Sequence, residues 1–175
     1  ALTDLVGATA LCVAAAHAQT KIIDVIVKRG ASIQTKSINR QQALLQGAFL
    51  YDAPDVAHVL IASGCCEVDS TMTFYFPGEV QTRILSIFFA VMSLQYKRGR
   101  KGSLQAFAYY NSGCTALMVC VLLNRQKYAQ VLLANNADPE CRNHRGLTAL
   151  DLAVLINSPP ELIAQLRAAS KSRGS

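Results

Sequence analysis

The chain has 175 residues, 51% of them apolar and only 16% charged, which excludes a fully disordered chain and fits one domain or one short repeat array with a sizeable core. Its 17 basic and 11 acidic residues give a formal charge of +6, which favours acidic partners without selecting among protein, nucleic acid and lipid. The longest apolar run, residues 84–94, is broken by Ser86 and Ser93 and is too short to span a bilayer, so no transmembrane helix is expected. The opening Ala1-Leu2-Thr3-Asp4 has neither an initiator Met nor a signal-peptide pattern, so the chain reads as a segment of a larger protein.

Residues 4–36 read as one complete unit. Gly7-Ala8-Thr9-Ala10-Leu11 opens it, with Thr9 suited to accept from an unpaired N–H at a helix start. Ala14 and Ala15 supply the small side chains that close helix packing needs. Ile22, Ile23, Ile26 and Val27 recur at helical spacing and predict a second helix with one apolar face, ended by Gly30. The second unit, 37–70, keeps Ala43-Leu44 in phase but has Arg40 and Gln42 where the first has Gly and Thr. Pro54 and Asp55 start its second helix, Val56, Val59, Leu60 and Ile61 supply the packing face, and Gly64 ends it.

From 71 to 109 the register is lost. Phe74-Tyr75-Phe76-Pro77-Gly78 reads as a turn, and Val80, Ile84, Leu85, Phe88, Phe89 and Met92 predict an unusually long helix whose apolar face reads as core and alternatively as a docking groove. A basic loop with Lys97, Arg98, Arg100 and Lys101 follows, and residues 104–110 predict a short helix. The excess length reads as a third, divergent repeat carrying an insertion, and leaves open a separate plug between two half-arrays.

The clearest unit is 110–142. It holds Gly113-Cys114-Thr115-Ala116-Leu117, and Gly146-Leu147-Thr148-Ala149-Leu150 repeats the phrase 33 residues later, opening a last unit at 143–170. Asn136 stands where Gly30 stands in the first unit and suits the same helix end. Ser158-Pro159-Pro160-Glu161 starts the last helix, Leu162, Ile163 and Leu166 pack it, and the polar tail 170–175 is expected to fray.

Gly-x-Thr-Ala-Leu, small residues shortly after, a Val-Leu-Leu helix and a Gly/Asn-Ala-Asp turn on one period resemble the ankyrin repeat. The likeness is close over 7–36 and 113–155, partial over 37–69 and poor over 70–110. It implies an all-α solenoid of stacked helix-turn-helix units with short hairpin loops, about five repeats in one domain over 1–175. The family's usual His is replaced by Cys12, Leu45, Met118 and Asp151, so its hydrogen bond to the neighbouring turn is absent. The resemblance also implies a non-catalytic scaffold or adaptor that binds a protein through its concave face and hairpin tips. Carried over by position, that surface includes Ala16, His17, Asn111, Ser112, Leu122, Leu123, Arg142, His144 and Arg145, with an acidic segment as the complement.

Other chemistry is weaker. Cys141 with His144 and Cys12 with His17 lack a second pair at ligand spacing, so no metal or cofactor is expected. Cys12 and Cys120 read as small core fillers, Cys141 as a loop residue, and Cys65-Cys66 as turn residues. The six cysteines show no secreted disulfide framework, which places the chain in a reducing, cytoplasmic or nuclear compartment. Residues 99–102 are not a phosphate loop. The basic loop at 97–101, near Tyr96, Tyr109 and Tyr110, reads as a solvated insertion loop or as a grip for an acidic protein, and alternatively for nucleic acid or anionic lipid.

Overall fold

The computed structural model describes residues 10–29, 43–44, 48, 52–64, 66–69, 71 and 79–173. Among these the regular structure is helical: α1 (Ala10–Ala16), α2 (Thr20–Lys28), α3 (Pro54–Ala62), α4 (Glu79–Lys97), α5 (Ser103–Tyr110), α6 (Ala116–Leu122), α7 (Gln126–Ala134), α8 (Ala149–Leu155) and α9 (Pro160–Arg173). The expectations for Gly7, Thr9, Gly30, Leu45, Cys65 and the turn at 74–78 lie outside the described residues, as do Arg40 and Gln42.

Paired short helices build the array. In α1/α2, α6/α7 and α8/α9 the first helix ends at a residue with positive φ, Ala18 at 53°, Asn124 at 56° and Asn157 at 54°. The next N–H reaches back five residues each time: Gln19 to the Ala14 carbonyl (2.9 Å), Arg125 to Cys120 (2.7 Å) and Ser158 to Ala153 (2.8 Å). One left-handed residue therefore reverses the chain and satisfies a carbonyl orphaned by the helix end. The first helices are small and buried, as Ala14, Ala15, Cys12, Cys120 and Ala153 show, and every residue of α6 is buried.

Thr115 caps α6 by accepting from the Met118 N–H, and Thr148 caps α8 within a reciprocal box with Asp151. Helix α3 starts at Pro54 and Gly64 follows it at φ 64°, while Asn136 takes φ 63° after α7. Ile23 is buried but Ile22 is half exposed, so the face of α2 is narrower than its spacing suggested. The tail expected to fray is instead helical through Arg173, and the Ser170 hydroxyl donates to the Glu140 carboxylate.

A repeat at 71–109 was expected between the second unit and 110–142. The described contacts run directly between those two units. Helix α3 packs on α7. The buried Tyr128 hydroxyl donates to the Leu44 carbonyl (2.7 Å), its N–H to Asp52 Oδ1 (3.0 Å), Arg125 Nε to the Ala48 carbonyl (3.0 Å), and the Asp138 N–H to Asp69 Oδ1 (2.6 Å). Helices α4 and α5 pack on each other as a hairpin, and α5 leads into α6. Phe89 meets Phe107 at 6.0 Å between ring centroids, whereas Phe88, expected in the core, is 41% exposed.

Candidate partner-binding surface

The loop 142–146 between the last two units is organised by a side chain that spacing did not single out. Asn143 is buried, and its amide oxygen accepts from the N–H groups of Arg145 (2.9 Å) and Leu147 (3.0 Å) while its Nδ2 donates to the Tyr110 carbonyl (3.1 Å). Its own N–H and carbonyl close the turn through Leu147 and Gly146. Asn fits because its amide supplies both an acceptor and donors. The visible signal was its place three residues before Gly146, matched by Tyr110 before Gly113.

The residues around it brace the neighbouring loop at 109–113. His144 Nδ1 lies 2.9 Å from Ser112 Oγ, and its N–H donates to the Ser112 carbonyl (3.0 Å). Gly113 has φ 73°, and a Cβ there would clash with Cδ2 of the His144 ring, so glycine lets the two loops close up. Arg142 Nη1 donates to the Gly146 carbonyl (2.7 Å). Arg145 Nε donates to the Tyr109 carbonyl (3.1 Å), with its guanidinium 4.0 Å from the Tyr109 ring centroid. Ser112, Arg142, His144 and Arg145 thus meet at one exposed edge. Asn111 joins that loop, half-buried, as the residue closing α5.

Other expected contacts lie elsewhere. His17 is exposed at the α1/α2 turn. Leu122 was expected on the exposed face of the first helix, but α6 is covered on every side and Leu122 is fully buried. Leu123, the next residue, is half-buried, and Ala16 is buried too.

The basic segment forms the turn of the α4/α5 hairpin. Lys97 ends α4, and Arg98, Gly99, Arg100 and Lys101 are exposed. The tyrosines beside it pack on each other: Tyr96 stacks on Tyr109 (5.2 Å, 23°) and meets Tyr110 edge-on (5.4 Å). Lys101 Nζ sits 4.0 Å above the Tyr96 ring. Burial, then the neighbouring Tyr110 hydroxyl, push the Tyr96 phenol up to about 12, so it stays neutral. Between Glu79 and Asp138 the sequence holds no acidic residue and seven basic ones, a charge asymmetry stronger than the overall balance implied.

Among the described residues no three His, Cys, Asp or Glu side chains are grouped to hold a metal ion. Burial pushes the Cys114 thiol up to about 12, and Cys120 is raised well above its ordinary value for the same reason. Cys141 is half-buried, with its Sγ 3.7 Å from Asp138 Oδ2. No described helix is long and apolar enough to cross a membrane.

The family model for the ankyrin repeat matches residues 112–144, which start at the braced loop and run through α6, α7 and the next tip. Over that stretch the chain is similar to the ankyrin-repeat family. No curated protein sequence matches it. Ankyrin repeats are typically non-catalytic protein-interaction modules, and the braced edge lies at the two ends of the matched stretch, with Ser112 at its start and Arg142 and His144 at its end.

Proposed function

We propose that this ankyrin chain is a non-catalytic scaffold or adaptor that holds an acidic segment of a protein partner against the loop edge formed by Ser112, Arg142, His144 and Arg145. The supporting observation is the bracing of adjacent loops, which leaves an exposed basic edge already ordered before a partner arrives, so that little conformational freedom is lost on binding. In this reading the units at 10–29, 43–69, 113–142 and 146–173 stack in succession and the α4/α5 hairpin is inserted between the second and third of them. The compartment is intracellular and reducing, cytoplasmic or nuclear, in keeping with the buried thiols of Cys114 and Cys120.

A nucleic-acid or anionic-lipid role for 97–101 has less support. Base stacking needs open ring faces, and Tyr96 is already covered by Lys101 and Tyr109.

The test is titration of the full chain with a Glu/Asp-rich peptide. Arg142→Glu with Arg145→Glu is expected to weaken binding about tenfold or more. Arg142→Lys with Arg145→Lys, which keeps the charge but loses the guanidinium braces to Gly146 and Tyr109, is expected to bind more weakly than wild type and more tightly than the Glu pair. Unchanged binding by the Glu pair, with helicity intact by circular dichroism, removes the edge from the site.

A further inference from the structure

Over its described side chains, 87–97, helix α4 is apolar on two opposite faces, and among the described residues only one of them is covered. The inner face carries Phe89 and Tyr96, which meet Phe107 and Tyr109 of α5. The outer face carries Ile87, Val91 and Leu94, which are 63%, 44% and 46% exposed. A single exposed apolar side chain needs no explanation, but three in register on one helix face do.

The spacing specifies what would cover them. Ile87, Val91, Leu94 and Arg98 are separated by four, three and four residues, and in sequence the same alternation runs back through Ile84 and Val80. That is the 3.5-residue recurrence of a helix-packing seam, which keeps one line of side chains facing a partner helix along its length. Arg98 is one position beyond α4, yet its N–H still bonds the Leu94 carbonyl (3.1 Å), so it continues the seam as a cation. Gly99 then leaves the helix at φ 96°.

Charge selects among the helices that could dock. A second copy of α4 laid parallel would set one cationic turn against another, and laid antiparallel would bring Glu79 and Arg83 opposite it, with no net charge to match. A helix with carboxylates opposite 97–101 gains an attraction that neither arrangement of a second copy supplies. We infer that the outer face of α4 docks an amphipathic, acidic α-helix of a partner protein, with apolar side chains on Ile87, Val91 and Leu94 and Asp or Glu opposite Arg98 and Arg100.

This inference rests on the reading of the chain as a protein-interaction module, but it places the partner's helix on the inserted hairpin rather than on the loop edge. In the bound state α4 becomes the middle helix of three, which accounts for apolar side chains on both its faces.

The experiment uses the full chain and a synthetic helix of about three heptads, with Leu at the seam positions and Glu beside them, against a twin carrying Lys for Glu. Fluorescence anisotropy is expected to show binding of the acidic peptide at least about tenfold tighter than the Lys twin. Val91→Glu with Leu94→Glu is expected to abolish it, and Arg98→Glu to weaken it several-fold, with helicity and melting unchanged because all three side chains are exposed. The Arg142/Arg145 pair should leave this binding intact, which separates the seam from the loop edge. Equal affinity for both peptides, or no binding of either, overturns the inference. A dimer in sedimentation that Val91→Glu with Leu94→Glu dissolves would assign the face to a second copy. Flotation with phosphatidylserine vesicles that the same pair abolishes would assign it to a membrane surface.

Discussion

Asp151 stands where the ankyrin repeat usually has a histidine, and the structure shows what the carboxylate bonds instead. Its Oδ2 accepts from the Thr148 N–H and hydroxyl, each at 2.9 Å, while its own N–H donates back to Thr148 Oγ1 at 3.1 Å. The substitution exchanges a link to the adjacent turn for a closed cap on α8. The Thr148 backbone N–H, then its hydroxyl, hold the Asp151 carboxyl below its ordinary value of 3.8, aided by the charge of Arg142. A lowered folded-state pKa means that the cap's contribution is fully present above the ordinary carboxylate value and is lost as pH falls from there through the folded value. The stability gap between wild type and Asp151→Asn should therefore be constant from neutral pH down to about 5 and narrow below about 4. Urea midpoints of both proteins across that range measure it, and a gap independent of pH would detach the cap from the carboxylate charge.

At the scale of helices and turns, the three described reversals share one backbone and differ in cost. Asn124 and Asn157 tolerate the left-handed conformation because a short amide can bond locally, whereas Ala18 has no such compensation. Ala18→Asn should stabilise the chain by roughly 1 kcal/mol, and Asn124→Ala should cost a similar amount. Chemical denaturation of the two variants measures both, and equal stability of Ala18→Asn and wild type would place the strain elsewhere. The capping threonines at 115 and 148, Pro54 at the start of α3 and the turn at Asn136 were legible because each is a local consequence of residue type. Asn143 was overlooked and Leu122 misplaced because burial and cross-loop bonding depend on which loop lies beside which. Arg145, expected from the sequence as a hairpin-tip contact, is also a brace against Tyr109 in the fold.

At the scale of the molecule, the proposed stacking sets the α4/α5 hairpin aside from the sequence order of the units. Periodicity counts residues along the chain and has no means of telling a widened repeat from a loop that folds aside. What decides is a set of long-range bonds, and Tyr128 makes two of them: its buried hydroxyl to Leu44 and its N–H to Asp52. Burial pushes that phenol well above its ordinary value, so it remains a hydrogen-bond donor. In a stack of units, stability passes between nearest neighbours, so weakening one joint loosens the unit on each side of it. Tyr128→Phe removes the donor and leaves the Leu44 carbonyl short of a partner, at a cost of about 1–2 kcal/mol. Because α7 rests directly on α3, amides at 54–62 should exchange faster along with those at 126–134, roughly tenfold for each 1.4 kcal/mol lost when opening is the exchange-limiting equilibrium. Amides of α5, joined to the stack through Asn143 and Arg145, should change far less. Hydrogen exchange read by mass spectrometry separates the two topologies. If 71–109 were a repeat set between the flanking units, the acceleration would pass through α5 before reaching α3. Acceleration in α3 with α5 unmoved is the outcome that the Tyr128 bonds require.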